Sequence, residues 1–341
     1  MSRSLAHDDP DTPVSGDDQA RPALAHAYPR LGPYGQLARD PLHGRMRHFA
    51  DDFLARNRDA LREYAAQWVA DPLHHWSRRW EYPYVFEQLE AWCRAHPGAR
   101  PRVLDAGSGL TFFPHFLAST LPIEGVECRD RDPAIARDAA RLGAPASLAV
   151  RYDTGDLADL GFRDASFDCV YCISVLEHTA ERARIADEFA RVLRPDGLLV
   201  VTIDVSLDGR AEIPRAEAAR LIEALGRRFR PLGSFAGAVA EPPADVLTTR
   251  TVASVEPALM PPRTYASAGG VLRRLLRPWS FPWGKAFRRL LGRAGGGAGA
   301  SEVTFFCTAW TRPRGRWSTR HVCAATGLES VSRTRWHCPT E

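Results

Sequence analysis

Residues 102–110 read Arg-Val-Leu-Asp-Ala-Gly-Ser-Gly-Leu, and the prediction of the fold starts from them. Val103 and Leu104 are typical of the end of a buried strand, and an acid and two glycines follow at once. Glycine suits a tight loop whose backbone adopts conformations that a Cβ forbids and approaches a ligand closely. From Phe112 to Leu121 apolar residues recur at helical spacing, so the pattern predicts strand, glycine loop and helix. In open α/β sheets, such loops at the carboxyl ends of strands hold nucleotide-like ligands.

The composition is that of a soluble globular protein, with 341 residues of which 45% are hydrophobic and 25% are charged. A net charge of +4 is too small to imply a nucleic-acid partner. The seven cysteines are an odd number, which does not suit a disulfide framework. The sequence shows no secretory pattern and no apolar run of membrane-spanning length, so we expect a cytoplasmic location.

An ordered series of short motifs follows the glycine loop over about residues 80 to 205. The series is Asp105-x-Gly107-x-Gly109, Asp130-Arg131-Asp132-Pro133, Gly155-Asp156-Leu157, Phe167-Asp168, Val175-Leu176-Glu177-His178 and Leu193-Arg194-Pro195-Asp196-Gly197. Each motif is weak alone, but the ordered set resembles the class I S-adenosylmethionine-dependent methyltransferases, in their small-molecule branch. The resemblance implies an α/β fold with a doubly wound, mostly parallel sheet of the Rossmann-like methyltransferase type. It also implies an antiparallel last strand, a helical N-terminal extension and S-adenosyl-L-methionine as cofactor.

By this resemblance, the glycine loop holds the methionine part of the cofactor through Asp105, Gly107 and Gly109. The resemblance likewise assigns the adenine amino group to the Asp156 side chain and a ring nitrogen to the Leu157 amide. An Asx turn that closes the loop is the alternative explanation of Asp156.

The ribose contact has two candidates in the second strand. A carboxylate at the end of this strand accepts hydrogen bonds from both ribose hydroxyls in nucleotide-binding α/β units. Asp130 is the preferred residue, and Glu127 is its rival because Gly125-Val126-Glu127 matches a commoner Gly-Val-Asp pattern. Asp132 is expected instead to cap the helix that begins at Pro133.

The methyl-transfer position follows the fourth strand, the apolar run 167–173. This strand delivers Ser174 to the rim of the site, where the resemblance counts it among the cofactor-binding residues. His178 is a candidate general base because the ordinary histidine pKa lies near working pH. Asp204, after the fifth strand, is a second candidate for acceptor contact.

No metal site is predicted, and Cys169 and Cys172 are read as core residues on opposite faces of the strand.

The expected acceptor is a small molecule methylated on oxygen or nitrogen. Methyltransferases that act on exocyclic amines of nucleobases carry an Asn/Asp-Pro-Pro-aromatic sequence after the fourth strand, and this chain has Ser-Val-Leu-Glu-His there. DNA is therefore not expected as a partner.

The chain divides into six expected regions. These are a disordered arm (1–40), a helical cap or lid (41–100), the cofactor-binding α/β core (101–230), an insertion on the substrate side (231–300), a closing strand (301–311) and a tail (312–341). Within the cap, a leading helix over 46–69 is predicted. The aromatic and charged segment after it is read as a packing cluster or as a lid with Arg79 or Trp80 facing the ligand and Glu81 fixing the arginine.

The insertion contains a basic, aromatic-rich stretch at residues 271–293 without an acid. This composition is typical of a helix in a membrane interface or of a surface that binds an anionic substrate, and an ordinary solvated helical hairpin is the alternative. Peripheral membrane association therefore stands beside the cytoplasmic expectation.

Two other classes of protein share part of the pattern. A dinucleotide-dependent oxidoreductase expects Gly-x-Gly-x-x-Gly, but Phe112 stands where the third glycine would lie. A non-catalytic cofactor-binding or scaffold protein of the same fold is the second alternative.

Overall fold

The computed structural model describes residues 24–66, 73, 75–143, 149–210, 213–233, 235, 238–255 and 301–314. These residues form one mixed sheet with helices on both faces. Its strands are β1 (Arg102–Ala106), β2 (Gly125–Asp130), β3 (Val150–Thr154), β4 (Phe167–Ile173), β5 (Leu193–Ser206), β6 (Ile213–Pro214), β7 (Arg230–Pro231) and β8 (Val303–Thr311).

The strand order is β3-β2-β1-β4-β5-β8-β7, with β6 paired to β5 off this path. Strands β1 to β5 pair in parallel, whereas β8 runs antiparallel to both β5 and β7. The order reverses beside β1, which places the glycine loop at the switch point where such sheets bind ligands. The predicted doubly wound, mostly parallel sheet with an antiparallel late strand is confirmed.

The helices are α1 (Leu31–Leu37), α2 (Pro41–Arg56), α3 (Arg62–Ala65), α4 (Arg78–Ala95), α5 (Phe113–Thr120), α6 (Pro133–Ala139), α7 (Arg182–Val192), α8 (Arg215–Gly226) and α9 (Thr249–Val255). Alternate residues of each central strand belong to two apolar clusters, one on each face of the sheet. Cys169 joins the cluster that includes α2, α4 and α5, and Cys172 joins the cluster that includes α7 and α8. Both thiols are buried, so the prediction that they are core residues on opposite faces is confirmed.

The expected disordered arm over residues 1–40 is wrong from Leu24 onward. Ala27 exchanges two backbone hydrogen bonds with Cys307 of β8, at 2.8 and 2.9 Å. Tyr34 of α1 is 1% exposed and its hydroxyl donates to the Trp76 carbonyl at 3.0 Å. The partners of this segment are distant in sequence, which a local reading of composition does not reveal. Residues 1–23 lie outside the described part of the chain.

The predicted leading helix over 46–69 is in fact two helices with earlier bounds. Asp40 caps α2 by accepting from the Leu42 amide at 2.8 Å, so the helix begins at Pro41. It ends at Arg56, because the Asn57 side chain donates back to the Phe53 carbonyl and accepts from the Gly143 amide, both at 2.9 Å. The chain then turns, and α3 approaches the glycine loop.

Other sequence-based bounds shift by a few residues. Strand β5 spans Leu193–Ser206, so Asp204, expected after the fifth strand, lies inside it. Asp132 caps α6 as predicted, accepting from the Ala134 amide at 2.9 Å. Residues 256–300, including the basic stretch 271–293, lie outside the described residues, as does the tail beyond residue 314.

Within the described ranges, none of the helices combines the length and the apolar character needed to cross a membrane.

Candidate functional site

The glycine loop after β1 closes onto the end of β2. The Gly107 amide donates to the Arg129 carbonyl at 2.8 Å, and the Gly109 amide donates to the Asp130 carboxylate at 3.0 Å. Gly107 and Gly109 have φ angles of 84° and 55°, in the left-handed region that favours glycine. The loop therefore brings the first two acids of the predicted set, Asp105 and Asp130, to one end of the sheet.

Gly107 also lacks room for a side chain. A Cβ at this position would lie 2.5 Å from Cγ2 of Val175, which follows β4. We expect Gly107→Ala to lower the free energy of unfolding by about 2–5 kcal/mol, the sum of backbone strain and overpacking. The measurement is urea unfolding of the ligand-free protein.

Gly98→Ala is the matched control for this substitution. Gly98 has a φ of 83°, but nothing lies within 4 Å of the position that a Cβ would take there. Gly98→Ala should therefore lower the free energy of unfolding through backbone strain alone, by about 1–2 kcal/mol. Equal losses in the two variants would contradict a close approach between the glycine loop and Val175.

The two candidates for the ribose contact have different surroundings. Glu127 forms ion pairs with Arg102, Arg129 and Arg151, at 3.1, 3.7 and 3.5 Å, along the body of the strand. Asp130 lies at the last residue of β2 and accepts from the amides of Gly109 and Asp132. Of the two carboxylates, only Asp130 contacts the glycine loop in the described structure.

Asp105 is a buried acid at the end of β1. Its carboxylate accepts a hydrogen bond from the Tyr171 hydroxyl at 2.8 Å. Burial raises the pKa of Asp105 to about 8, and the neighbouring carboxylate of Asp130 adds to the rise. A carboxyl group in this state becomes ionised more easily when a cation binds beside it.

Asp156 follows β3 at the same end of the sheet. Its side chain accepts from the Ala158 amide at 3.0 Å and from Arg131 at 2.5 Å. The Ala158 amide is the main cause that lowers the pKa of Asp156, so the group is held as a carboxylate. Leu157 beside it is buried. The Asx-turn geometry is therefore present, and the Arg131 contact ties the turn to the end of β2.

A buried polar cluster lies where β4 and β5 meet the cap, and it comprises Arg78, Glu81, Ser174 and Thr202. We call it the Glu81 cluster. The Glu81 carboxylate accepts from Ser174 Oγ at 2.7 Å, from Thr202 Oγ1 and from Arg78. Burial alone would raise the pKa of Glu81. Arg78 and these hydroxyls outweigh burial and hold the pKa of Glu81 below its usual value. Ser174 has a φ of 49°, so the backbone is strained at the residue that turns toward the cluster.

The arginine fixed by Glu81 is Arg78, which corrects the expectation that Arg79 or Trp80 faces the ligand. The guanidinium of Arg79 lies against the Tyr34 ring, 5.8 Å from its centroid, and Trp80 is 2% exposed. Helix α4 begins at Arg78, and the helical phase places Arg78 and Glu81, three residues apart, on one side.

The two candidate acceptor-side residues lie next to this cluster. The Asp204 carboxylate is 3.5 Å from Ser174 Oγ, and the Asp204 amide donates to Glu177 at 3.3 Å. His178 ends a 3₁₀ turn, Leu176–His178. Burial, then Arg78 and Arg182, lower the pKa of His178 to about 4, so this imidazole is neutral at physiological pH.

Three further residues at the site were missed by the sequence reading, which gave them no role there. Tyr64 of α3 receives a hydrogen bond from the Leu110 backbone, and its hydroxyl lies 2.6 Å from where a Cβ of Gly109 would be. His75 accompanies Arg78, with a pKa lowered to about 3 by burial and by that guanidinium. Thr202 is the third of these residues, and its hydroxyl donates a hydrogen bond to Glu81. Tyr64 falls at a helical apolar position, so its pattern did not distinguish a site residue from a core residue.

Among the residues that the structure describes, no group of three or more His, Cys, Asp or Glu side chains could hold a metal ion.

Residues 104–201 match a family model described as a methyltransferase domain. The chain is 32% identical over 179 residues to a probable S-adenosylmethionine-dependent methyltransferase of Mycolicibacterium smegmatis, covering 48% of this chain and 64% of the relative. It is 31% identical over 130 residues to O-methyltransferase resE of Aspergillus sclerotiorum, covering 38% and 49%.

The chain matches less than two thirds of its curated relatives, with 35%, 29% and 49% of the length of three of them. Among solved structures, a putative sarcosine dimethylglycine methyltransferase from Galdieria sulphuraria aligns with a TM-score of 0.43 and 17% identity. This alignment covers 68% of this chain and 85% of the other.

Proposed function

We propose that the chain is an S-adenosylmethionine-dependent methyltransferase that methylates a small molecule on oxygen or nitrogen, since residues 104–201 match a methyltransferase-domain model and two relatives of about a third identity are named as methyltransferases. The observation that carries this proposal is the hydrogen bond between the Gly109 amide and the Asp130 carboxylate. It joins the glycine loop of β1 to an acid at the end of β2, with Asp156 and Ser174 at the same end of the sheet.

The residues at this end of the sheet fit S-adenosylmethionine in charge. The ligand carries a positive sulfonium and a positive ammonium group, and the site presents the acids Asp105, Asp130 and Asp156. In our proposal Asp105, Gly107 and Gly109 hold the methionine part, Asp130 the ribose hydroxyls, and Asp156 with the Leu157 amide the adenine. Ser174 completes the wall where the glycine loop meets the fourth strand.

The acceptor would approach from the side of Ser174, His178 and Asp204. A bound S-adenosylmethionine supplies a methyl group on a positively charged sulfur, and alignment of the acceptor with that group accounts for most of the rate. Because its imidazole is neutral, His178 can accept a hydrogen bond from a hydroxyl or amine. A pKa of about 4 makes it a weak base, so the expectation that its pKa lies near working pH is wrong, and we assign it the role of orienting the acceptor. Asp204 orients the same acceptor through its carboxylate.

The structure disfavours a dinucleotide-dependent oxidoreductase. Phe112 replaces the third glycine of the dinucleotide motif, is 1% exposed and packs on Phe49 and Tyr82 just before α5. A non-catalytic protein of the same fold is distinguished by experiment.

The test is methyl transfer from methyl-labelled S-adenosylmethionine. The full chain is incubated with cell extract separated into small molecules, proteins and nucleic acids, with Asp130→Ala as the inactive comparison. We expect label in the small-molecule fraction only, and at least about tenfold less with the variant. Label in protein or nucleic acid would contradict the acceptor class, and label in no fraction would favour the non-catalytic alternative.

A further inference from the structure

Arg78 lies between the glycine loop and the ends of β4 and β5. Its Nη1 donates to Glu81, to Ser174 Oγ at 2.8 Å and to Ser77 Oγ at 3.1 Å. The side chain of Arg78 is 23% exposed, whereas that of Glu81 is fully buried. The guanidinium is therefore anchored through Nη1, and the side chain is partly exposed.

The remaining N–H donors of Arg78 suggest that it binds a ligand. A guanidinium has N–H groups on Nε, Nη1 and Nη2 in a planar fork that matches a carboxylate. Among the described residues, every hydrogen bond of Arg78 comes from Nη1, so none of them accepts from Nε or Nη2.

The charge around Arg78 makes it the group that can accept an anion. Asp105, Asp130 and Asp204 surround the same end of the sheet, and a carboxylate entering it would be repelled unless a cation met it. Among the described residues, Arg131 is already paired with Asp156 and Glu181, and the pKa of His178, lowered to about 4, leaves it uncharged.

Tyr64 ties Arg78 to the donor side of the site. The phenol interacts electrostatically with Arg78, with Asp130 and with Asp105, and it is bonded to the Leu110 backbone of the glycine loop. Asp204 interacts with Arg78 from the acceptor side. Arg78 also contacts Ser174, whose Oγ lies 3.5 Å from the Asp204 carboxylate on the acceptor side.

We propose that Arg78 binds a carboxylate of the bound ligand through Nε and Nη2 while Glu81 keeps Nη1. This inference rests on the proposed function. The carboxylate has two sources, the amino-acid end of the methyl donor and an acidic acceptor, and the experiment separates them. In both cases Glu81 is a positioning residue, because it holds the guanidinium without touching the ligand.

The test is isothermal titration with two probes that differ in the amino-acid end. S-adenosylhomocysteine carries it, and 5′-methylthioadenosine has the same nucleoside and thioether sulfur without it. In Arg78→Met we expect affinity for S-adenosylhomocysteine to fall about 10- to 100-fold, and affinity for 5′-methylthioadenosine to stay within about twofold. Arg78→Lys should give an intermediate loss, because it keeps the charge but not the planar fork.

An acidic acceptor gives a different pattern. Affinity for both probes is then unchanged in Arg78→Met, and benzoate, titrated into the protein saturated with S-adenosylhomocysteine, binds the wild type and not the variant. Either pattern supports the inference. Equal losses for both nucleosides, or no change in any of the three titrations, would overturn it.

Two further variants keep the test interpretable. Arg78→Met leaves the buried Glu81 carboxylate without its cation, so the double variant Arg78→Met/Glu81→Gln removes both charges together. Arg94→Met lies on the same helix, is paired only loosely with Glu90 at 3.6 Å and should behave as wild type. Wild-type protein that binds neither nucleoside would refute the proposed function itself, which is distinct from failure of the Arg78 assignment.

Discussion

Asp130→Ala is expected to weaken binding of S-adenosylhomocysteine about 10- to 100-fold. The carboxylate lies at the end of β2 against the Gly109 amide, where it can accept hydrogen bonds from both ribose hydroxyls. Loss of charged hydrogen bonds of this kind costs about 1.5–3 kcal/mol, which corresponds to that range of affinity. Isothermal titration of variant and wild type measures the change.

Glu127→Ala is the control for the ribose assignment. Its carboxylate is engaged by Arg102, Arg129 and Arg151, so its removal should change the affinity by less than about threefold. A tight-binding Asp130→Ala protein together with a weak-binding Glu127→Ala protein would move the ribose contact to Glu127.

Asp105→Asn is expected to stabilise the ligand-free protein while it weakens donor binding. Burial raises the pKa of Asp105 from 3.8 to about 8 in the folded state. Below about pH 4 the group is protonated in both states, so its folded form carries no penalty. As pH rises toward 8 the unfolded chain ionises first, and the wild type loses stability through this group.

The substitution removes this penalty because asparagine cannot ionise and still accepts from Tyr171. The difference in unfolding free energy between variant and wild type should grow by about 2–4 kcal/mol from pH 5 to pH 8. Urea unfolding at several pH values measures it, with Asp159→Asn, a substitution of the same kind at an exposed site, as the control. A constant difference across this pH range would show that Asp105 is ionised in the folded protein.

The same experiment relates stability to function. The neutral variant lacks the carboxylate proposed to meet the ammonium of the donor, so its gain in stability should accompany weaker binding of S-adenosylhomocysteine. Proteins commonly carry such destabilised groups at binding sites.

The sequence sufficed for the parts of the fold that depend on local patterns. Strands β1 and β4 are short apolar runs bounded by turn residues, and α5 has helical periodicity, so these elements were found within a few residues. The closing strand was found for the same reason, because 302–311 is a long apolar and β-branched run. Asp130 was preferred because it follows the second strand, where nucleotide-binding α/β units place an acid.

Features that depend on contacts between distant residues were not accessible in this way. Residues 24–30 are held by backbone hydrogen bonds with Cys307 and Leu247, more than 200 residues away in sequence, and no local pattern predicts these partners. The role of Arg78 depends on where α4 begins, since a shift of one residue exchanges it for Arg79. Tyr64 reaches the glycine loop only because Asn57 ends α2 and redirects the chain.

The most direct test of the central claim is titration of the wild-type full chain with S-adenosylhomocysteine. If Asp105, Asp130 and Asp156 jointly hold an adenosine that bears the methionine part, the titration gives a saturable heat with one ligand per chain. If no heat appears at millimolar ligand, the ends of these strands do not form the proposed cofactor site.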